Sequence, residues 1–361
     1  MKRLTILFVA AVLVVPLIFA VFRGEPARAR TDVELAPRTD DEARIIEVYK
    51  RLNESVVFIT TISLTYDLFS GLQPQEGTGS GVIIDPLRGI ILTNYHVIEN
   101  AKQVEVTLGS GSAHAAKLVG VDPDSDIAVL RIQQPPGGLV APQFADSSKL
   151  EVGQRVLAIG NPFGLNRTLT TGIISSLNRS IRGSAGALMK GLIQTDAAIN
   201  VGNSGGPLLD TAGRLIGINT AILSRSGDSA GIGFAVPINT VKRILPELIA
   251  TGKVLRPDMG WVLVDTDQGP MVNQILAGGS ADEAGVRPIL RRVEGVFLSG
   301  FIRDVDNADL IFRIDGKRVY TKEEVDDLIA AHDPGQALLL ELHRGGVKGK
   351  ARSVEVKPML R

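Results

Sequence analysis

The 361-residue sequence contains no cysteine. Disulfides and thiolate metal sites are therefore excluded, and the chain is chemically at ease in an oxidising compartment. Aromatic residues make up only 4% of the chain, with a single tryptophan. Neither sign of charge is in excess, since 39 basic residues balance 39 acidic ones. Without a concentrated basic face, nothing points to nucleic acid. Histidine is scarce at four residues, so any imidazole chemistry has few candidates. Glycine is abundant at 39 residues, as many short strands and turns require. The length is more than one ordinary domain needs and suits two.

The chain is organised around Gly202-Asn203-Ser204-Gly205-Gly206-Pro207. Glycines on both sides of one serine allow a sharp turn that leaves a hydroxyl exposed. Such a turn aims the backbone N–H groups of Gly202 and Ser204 into one small space, an oxyanion hole for acyl transfer. A plain Gly-rich turn between strands would look similar, so the reading depends on a base to activate the hydroxyl. Of His96, His114, His332 and His343, only His96 closes an apolar strand with a polar turn, in Ile90-Ile91-Leu92-Thr93-Asn94-Tyr95-His96. The other three read as structural: His114 on a surface strand, His332 near a helix end, His343 in a C-terminal strand. Asp126 lies in a turn feeding the apolar run Ile127-Ala128-Val129-Leu130. The chain order His96, Asp126, Ser204 is that of the chymotrypsin class.

Leu92-Thr93-Asn94-Tyr95-His96-Val97-Ile98, Asp126-Ile127-Ala128-Val129-Leu130 and Gly202-Asn203-Ser204-Gly205-Gly206-Pro207-Leu208 together resemble the HtrA/Deg family of serine proteases. Gly77-Thr78-Gly79-Ser80-Gly81, Gly160-Asn161-Pro162-Phe163-Gly164 and Gly231-Ile232-Gly233-Phe234-Ala235-Val236-Pro237 extend the likeness from about residue 45 nearly to the C-terminus. The resemblance implies a mainly β chain: a trypsin-like double β-barrel protease domain at 45–253, then an α+β PDZ domain at 256–358. It implies a serine endopeptidase cleaving misfolded or regulatory envelope proteins by an acyl-enzyme route, with no cofactor and no metal. A quality-control chaperone or PDZ scaffold with secondary protease activity is the alternative.

Residues 4–22 carry no charge and follow Lys2-Arg3. Their length is near that of a membrane span, and Ala27-Arg28-Ala29 is a poor cleavage site. Residues 1–23 thus read as an uncleaved signal anchor, with a cleaved signal peptide as the alternative. The anchored form would be single-pass in a bacterial inner membrane with both domains in the periplasm; the cleaved form would be soluble there. Residues 24–44 read as a linker ending on acids that favour a helix start. Tyr49 and Ile46 either help form the family's homotrimer or cover a barrel end. The run between Thr65 and Gly77 is expected to be a short loop.

Strands are expected at 55–64, 80–84, 89–92, 103–108 and 127–132 for the first barrel. The second barrel is expected from 155–160, 168–177, 192–194, 207–209, 215–220 and 232–236. A helix at 237–251 closes the domain, from the apolar spacing of Val241, Ile244, Leu245, Leu248 and Ile249. The position six residues before Ser204 is Ala198, so no acid is there to select Lys or Arg. Ala198, Ile199, Ala221, Ile222 and Leu223 resemble the walls of a small apolar S1 pocket. Residues 180–190 are Gly/Ser-rich, and the resemblance makes them a sensor loop in which Arg182 is a candidate contact.

In the last third, Met259-Gly260-Trp261-Val262 resembles a PDZ carboxylate-binding loop, implying C-terminal peptides as partners. Residues 321–331 open with Thr before Lys-Glu-Glu, a capped helix flanking the peptide groove. Residues 287–306 are longer than the family's usual connection, and their apolar Val296-Phe297-Leu298-Ser299-Gly300-Phe301-Ile302 would cover the groove, touch the protease domain or pack locally.

Overall fold

A computed structural model describes residues 38–67, 71–164, 167–183, 188–200, 202–220, 231–294, 299–332 and 335–360. The anchor or signal segment at 1–23 and most of the linker lie outside the described residues. The first described helix is α1 (Asp40–Leu52). Thr39 and Glu42 cap it reciprocally: the Glu42 N–H donates to Thr39 Oγ1 at 3.2 Å and the Thr39 N–H to Glu42 Oε2 at 2.9 Å.

Two closed antiparallel barrels follow. The first is built from β1 (Val56–Asp67), β2 (Gly71–Asp85), β3 (Ile90–Thr93), β4 (Ala101–Thr107), β5 (Ala113–Asp122) and β6 (Ile127–Ile132). Their order around the barrel is β1-β2-β3-β6-β5-β4. The sixth strand, β5, is absent from the expected barrel strands, although His114, expected on a surface strand, lies in it. Most of its side chains are solvated, so the apolar alternation that marks a strand is weak there. The expected short loop between Thr65 and Gly77 is instead a hairpin arm. β1 and β2 pair without a break from Val56↔Val82 to Asp67↔Gly71.

The second barrel contains β7 (Arg155–Gly160), β8 (Thr168–Arg182), β9 (Leu188–Thr195), β10 (Pro207–Asp210), β11 (Leu215–Thr220) and β12 (Gly233–Pro237). All six lie where the sequence places strands. β8 and β9 run further than expected, and Ile181↔Met189 and Arg182↔Leu188 pair within the expected sensor loop. Much of that segment is therefore hairpin, with Ser184 to Ala187 outside the described residues. α2 (Tyr95–Ile98) is a single turn after β3, and α3 (Ile238–Thr251) closes the barrels. α3 buries Ile238, Val241, Ile244 and Leu248, one stripe at helical spacing. It ends at Gly252, left-handed at φ 84°, whose N–H donates to Leu248 O. β5 lies close beneath: a Cβ on Gly120 would come within 2.5 Å of Leu248 O. Tyr49 of α1 packs against the barrel core, and its hydroxyl donates to Arg167 O at 3.1 Å.

The C-terminal domain holds a sheet in the order β14 (Trp261–Thr266), β15 (Gly269–Ile275), β18 (Asp309–Ile314), β20 (Leu338–Arg344), β21 (Lys350–Val356). β19 (Lys317–Arg318) pairs with β18, and β13 (Pro257–Asp258) with β22 (Met359–Leu360). Two helices pack on it, α4 (Ser280–Glu283) and α5 (Lys322–Ala330). α5 is capped as expected: Thr321 Oγ1 accepts from the Glu324 N–H. Val325 and Ile329 of α5 share a core with Val272, Ile311, Leu340 and Val356. The long connection forms a hairpin of its own, β16 (Leu290–Glu294) and β17 (Ser299–Arg303). Phe301 is 65% and Ile302 43% exposed, so these two side chains are not packed under the domain. The apolar Val296-Phe297-Leu298 lies outside the described residues.

Candidate functional site

Strand register brings His96 and Asp126 together. β3 pairs with β6 through Thr93↔Ala128, so the residues just after β3 face those just before β6. Asn94 Nδ2 donates to Asp126 O at 3.0 Å, and the Tyr95 N–H to the same oxygen at 3.2 Å. Asp126 itself sits at φ 53°, a left-handed conformation that aspartate tolerates better than most residues. Its carboxylate is aimed at the histidine. The His96 N–H donates to Oδ1 at 2.9 Å, and His96 Nδ1 lies 2.8 Å from Oδ2. A carboxylate only accepts, so Nδ1 carries a proton, and the neutral ring is then the tautomer whose Nε2 has the free lone pair. The aspartate side chain is 8% exposed and that of His96 24%, an acid in protein and an imidazole reaching solvent.

Ser204 stands on a turn that the second barrel supplies and the first barrel receives. The Asn203 N–H donates to Asn200 O and the Gly206 N–H to Asn203 O, two overlapping turns. The Gly205 N–H donates to Asn219 O at 2.8 Å, tying the turn to β11. Gly205 must be glycine on two counts: its φ is 83°, and a Cβ would lie 2.1 Å from Ser80 O and 2.4 Å from Thr93 Oγ1. That close approach seats the serine turn on Thr93 at the end of β3, one residue before Asn94 and three before His96.

Ser80, wholly buried, is the joint between the barrels. Its N–H donates to Ser204 O at 2.8 Å, and its hydroxyl donates to Gly202 O and accepts from the Asn161 N–H. Thr93 Oγ1 donates to Ser80 O at 2.7 Å. From the other barrel, Thr220 Oγ1 donates to Asp126 Oδ2 at 2.8 Å. From sequence, Ser80 stands only within a family motif and Thr220 only among the expected S1 walls, where the structure instead turns its hydroxyl to Asp126. The glycines flanking Ser80 mark a place of close backbone approach, and Thr220 ends an apolar strand with a polar residue; those were the available signals.

The remaining expected residues divide. Gly202, at φ 100°, packs against Pro162, where a Cβ would come within 2.6 Å. Ala198 is partly exposed, and its carbonyl accepts from Thr170 Oγ1 and Asn203 Nδ2. Ile199 is 6% exposed and belongs to the second-barrel core with Ile193, Leu208 and Ile216. Ala221, Ile222 and Leu223 lie outside the described residues. The other histidines stand apart from this arrangement. His114 is on β5, His332 bonds Asp315 and Leu328 O after α5, and His343 stacks on Phe312 at 4.0 Å.

In the C-terminal domain, Gly260 is left-handed at φ 71° and Trp261 opens β14, an edge strand paired only with β15. The Gly260 N–H donates to Asp258 Oδ1 at 2.8 Å. Met259 is buried, Trp261 half-buried and Val262 53% exposed. Among the described residues, Lys190 and Arg256 join this domain to the barrels by ion pairs, Arg256 also lying 3.1 Å from Asp124. Lys190 of β9 pairs with Asp327 of α5, and Arg256 grips Asp122 with two bonds of 2.7 and 2.8 Å. Asp122, 1% exposed, ends β5 at the turn that carries Asp126.

Residues 79–218 match the trypsin-like peptidase domain family and residues 257–357 the PDZ domain family. The chain is 40% identical over 359 residues to Protease Do-like 1, chloroplastic, of Arabidopsis thaliana, spanning 95% of this chain and 79% of that one. It is 40% identical over 296 residues to the Periplasmic pH-dependent serine endoprotease DegQ of Escherichia coli, spanning 79% of this chain and 60% of DegQ. Among solved structures, the HtrA-type protease AlgW with decapeptide matches with a TM-score of 0.66 at 31% identity, covering 88% of this chain and 98% of that one.

Proposed function

Because the chain belongs to the HtrA family of serine endoproteases, a trypsin-like peptidase followed by a PDZ domain, we propose that His96, Asp126 and Ser204 cleave unfolded or regulatory proteins after small apolar residues. The observation that carries this is the 2.8 Å contact of His96 Nδ1 with a buried carboxylate, beside a serine turn seated on the same strand end. His96 Nε2 takes the Ser204 proton as the hydroxyl attacks a peptide carbonyl. Asp126 holds the tautomer and stabilises the imidazolium. The N–H groups of Gly202 and Ser204 receive the oxyanion. Returning the proton releases the amine, and water then frees the acyl group from the serine. Ala198 places no charge at the S1 position, and the pocket is assigned to Ala198, Ile199 and residues 221–223.

The domains are assigned as 45–253 for the protease and 256–358 for the PDZ domain, which binds peptide segments and tethers or regulates. Lys190–Asp327 supports that coupling, since it joins the PDZ helix to the strand leaving the assigned sensor segment. Tyr49 is engaged at the barrel end, and a homotrimer rests on family resemblance. A periplasmic location is supported by the name of DegQ, with residues 1–23 as anchor or signal. Ser204→Ala tests the assignment: cleavage of an unfolded protein should fall by about three orders of magnitude or more, with an unchanged thermal midpoint. Residual turnover within tenfold of the unmodified protein would overturn it.

A further inference from the structure

The PDZ groove has an unusual tenant. A free peptide C-terminus is held in such domains by backbone N–H groups of the loop that leads into the edge strand. Here that loop is Met259-Gly260-Trp261-Val262, with Asp258 just before it, and the edge strand is β14. The Gly260 N–H is already committed to Asp258 Oδ1 at 2.8 Å. A carboxylate of the chain itself thus occupies a donor that a ligand carboxylate would need. A cavity of about 650 Å³ opens beside this loop, between the PDZ helix α5 and the protease strand β9. Asp258, Glu323, Asp326 and Asp327 line its PDZ wall. The cations lining the cavity are Lys190 of β9, Arg243 of α3 and Arg256 at the start of the C-terminal domain. Lys190 is paired with Asp327, and Arg256 with Asp122 and Asp124. Arg243 of α3 is the remaining cation, and it lies across the cavity from the loop, so an incoming carboxylate meets Asp258 at the loop and Glu323, Asp326 and Asp327 along the helix.

We propose that Asp258 is a specificity residue that turns this groove away from free C-termini and toward internal, carboxylate-free peptide segments. The inference rests on the peptide-binding reading of the domain. Two anions cannot share one N–H donor, so a C-terminal carboxylate binds only by displacing Asp258. An internal segment needs only to pair its backbone with the open edge of β14, and a lysine or arginine in it meets the acidic wall. Burial first, and Glu323 second, raise the Asp326 carboxyl to about 6, so that wall is anionic at pH 7.5.

The test uses the full-length protein carrying Ser204→Ala, so that peptides are not consumed. One ten-residue peptide ending in valine is prepared as the free acid and as the C-terminal amide, and both are titrated by fluorescence anisotropy at pH 7.5. The expected result is that the amide binds at least as tightly as the acid. Asp258→Asn, which keeps an acceptor for the Gly260 N–H but removes the charge, should improve the acid about tenfold relative to the amide. Since both peptides meet the same protein, a general loss of folding in the variant does not move their ratio. A free acid bound tenfold more tightly than the amide by the protein with Asp258 intact would overturn this inference and leave peptide binding standing. An acid-to-amide ratio unmoved by Asp258→Asn would overturn it as well. Binding of neither peptide would overturn both readings together.

Discussion

Asp126 is held from both barrels. Asn94 and Tyr95 fix its backbone, His96 takes both carboxylate oxygens, and Thr220 bonds Oδ2 from across the interface. Asp126→Asn leaves the shape intact but lets an amide N–H face the imidazole, which favours the wrong tautomer. Turnover should fall by about 10⁴-fold, with a thermal midpoint close to that of the unmodified protein. Thr220→Val removes one hydrogen bond to the charged oxygen while keeping the volume. A hydrogen bond to a charged group is worth about 1.5–3 kcal/mol, so kcat should drop by roughly tenfold to a hundredfold; an unchanged kcat would show that Thr220 does not support the acid. Gly205→Ala forces a side chain into Ser80 O and a left-handed backbone. It should cost on the order of 2–4 kcal/mol, read by denaturant unfolding, and abolish cleavage with it.

At the level of elements, Thr321→Ala should cost α5 about 1 kcal/mol by removing its cap, lowering the unfolding midpoint of the C-terminal domain without changing protease kcat. That cap was legible in the sequence because Thr followed by Glu three residues on is a local signal. The strands of the second barrel were legible for a similar reason: β7, β10 and β11 are continuous apolar runs buried almost throughout. β5 and the outer parts of β1 and β2 were not. Their side chains are largely solvated, and what makes them strands is the neighbouring strand's hydrogen bonds, which no local pattern records. The site divides in the same way. His96, Asp126 and Ser204 declared themselves by motif, whereas Ser80 and Thr220 act across a large separation in sequence. Their partners are set by how one barrel docks on the other.

On the scale of the whole molecule, the cavity between α5 and β9 gives stability a pH dependence. Partial desolvation against the groove wall, and then the charges of Glu323 and Asp327, outweigh Lys322 and Lys190 and push the Asp326 carboxyl up to about 6, above the ordinary carboxylate range. Asp124, Asp258, Arg243 and Arg256 are the other charged groups lining the cavity. The native state therefore holds this proton more tightly than the unfolded chain. Its stabilising effect is full below about pH 4 and is lost as pH rises through about 6. The carboxyl is open to water in the groove, which limits the effect to on the order of 1 kcal/mol. Asp326→Asn should melt higher than the unmodified protein at pH 7.5, with the gap closing at pH 4.5; parallel melting curves across that range would refute the linkage.

The bonds that Ser80 makes to Ser204, Gly202 and Asn161 span the two barrels, and they also set a clock. A chain in which one barrel alone has formed owns a histidine or a serine, never the pair. On the proposed assignment of His96, Asp126 and Ser204, cleaving power arrives only with barrel docking. The sole tryptophan, Trp261, sits in the other domain, packed against that domain's core. During refolding its fluorescence keeps time for the C-terminal domain while the first cleaved substrate keeps time for the barrels, and the interval between the two signals is the order in which the molecule is assembled.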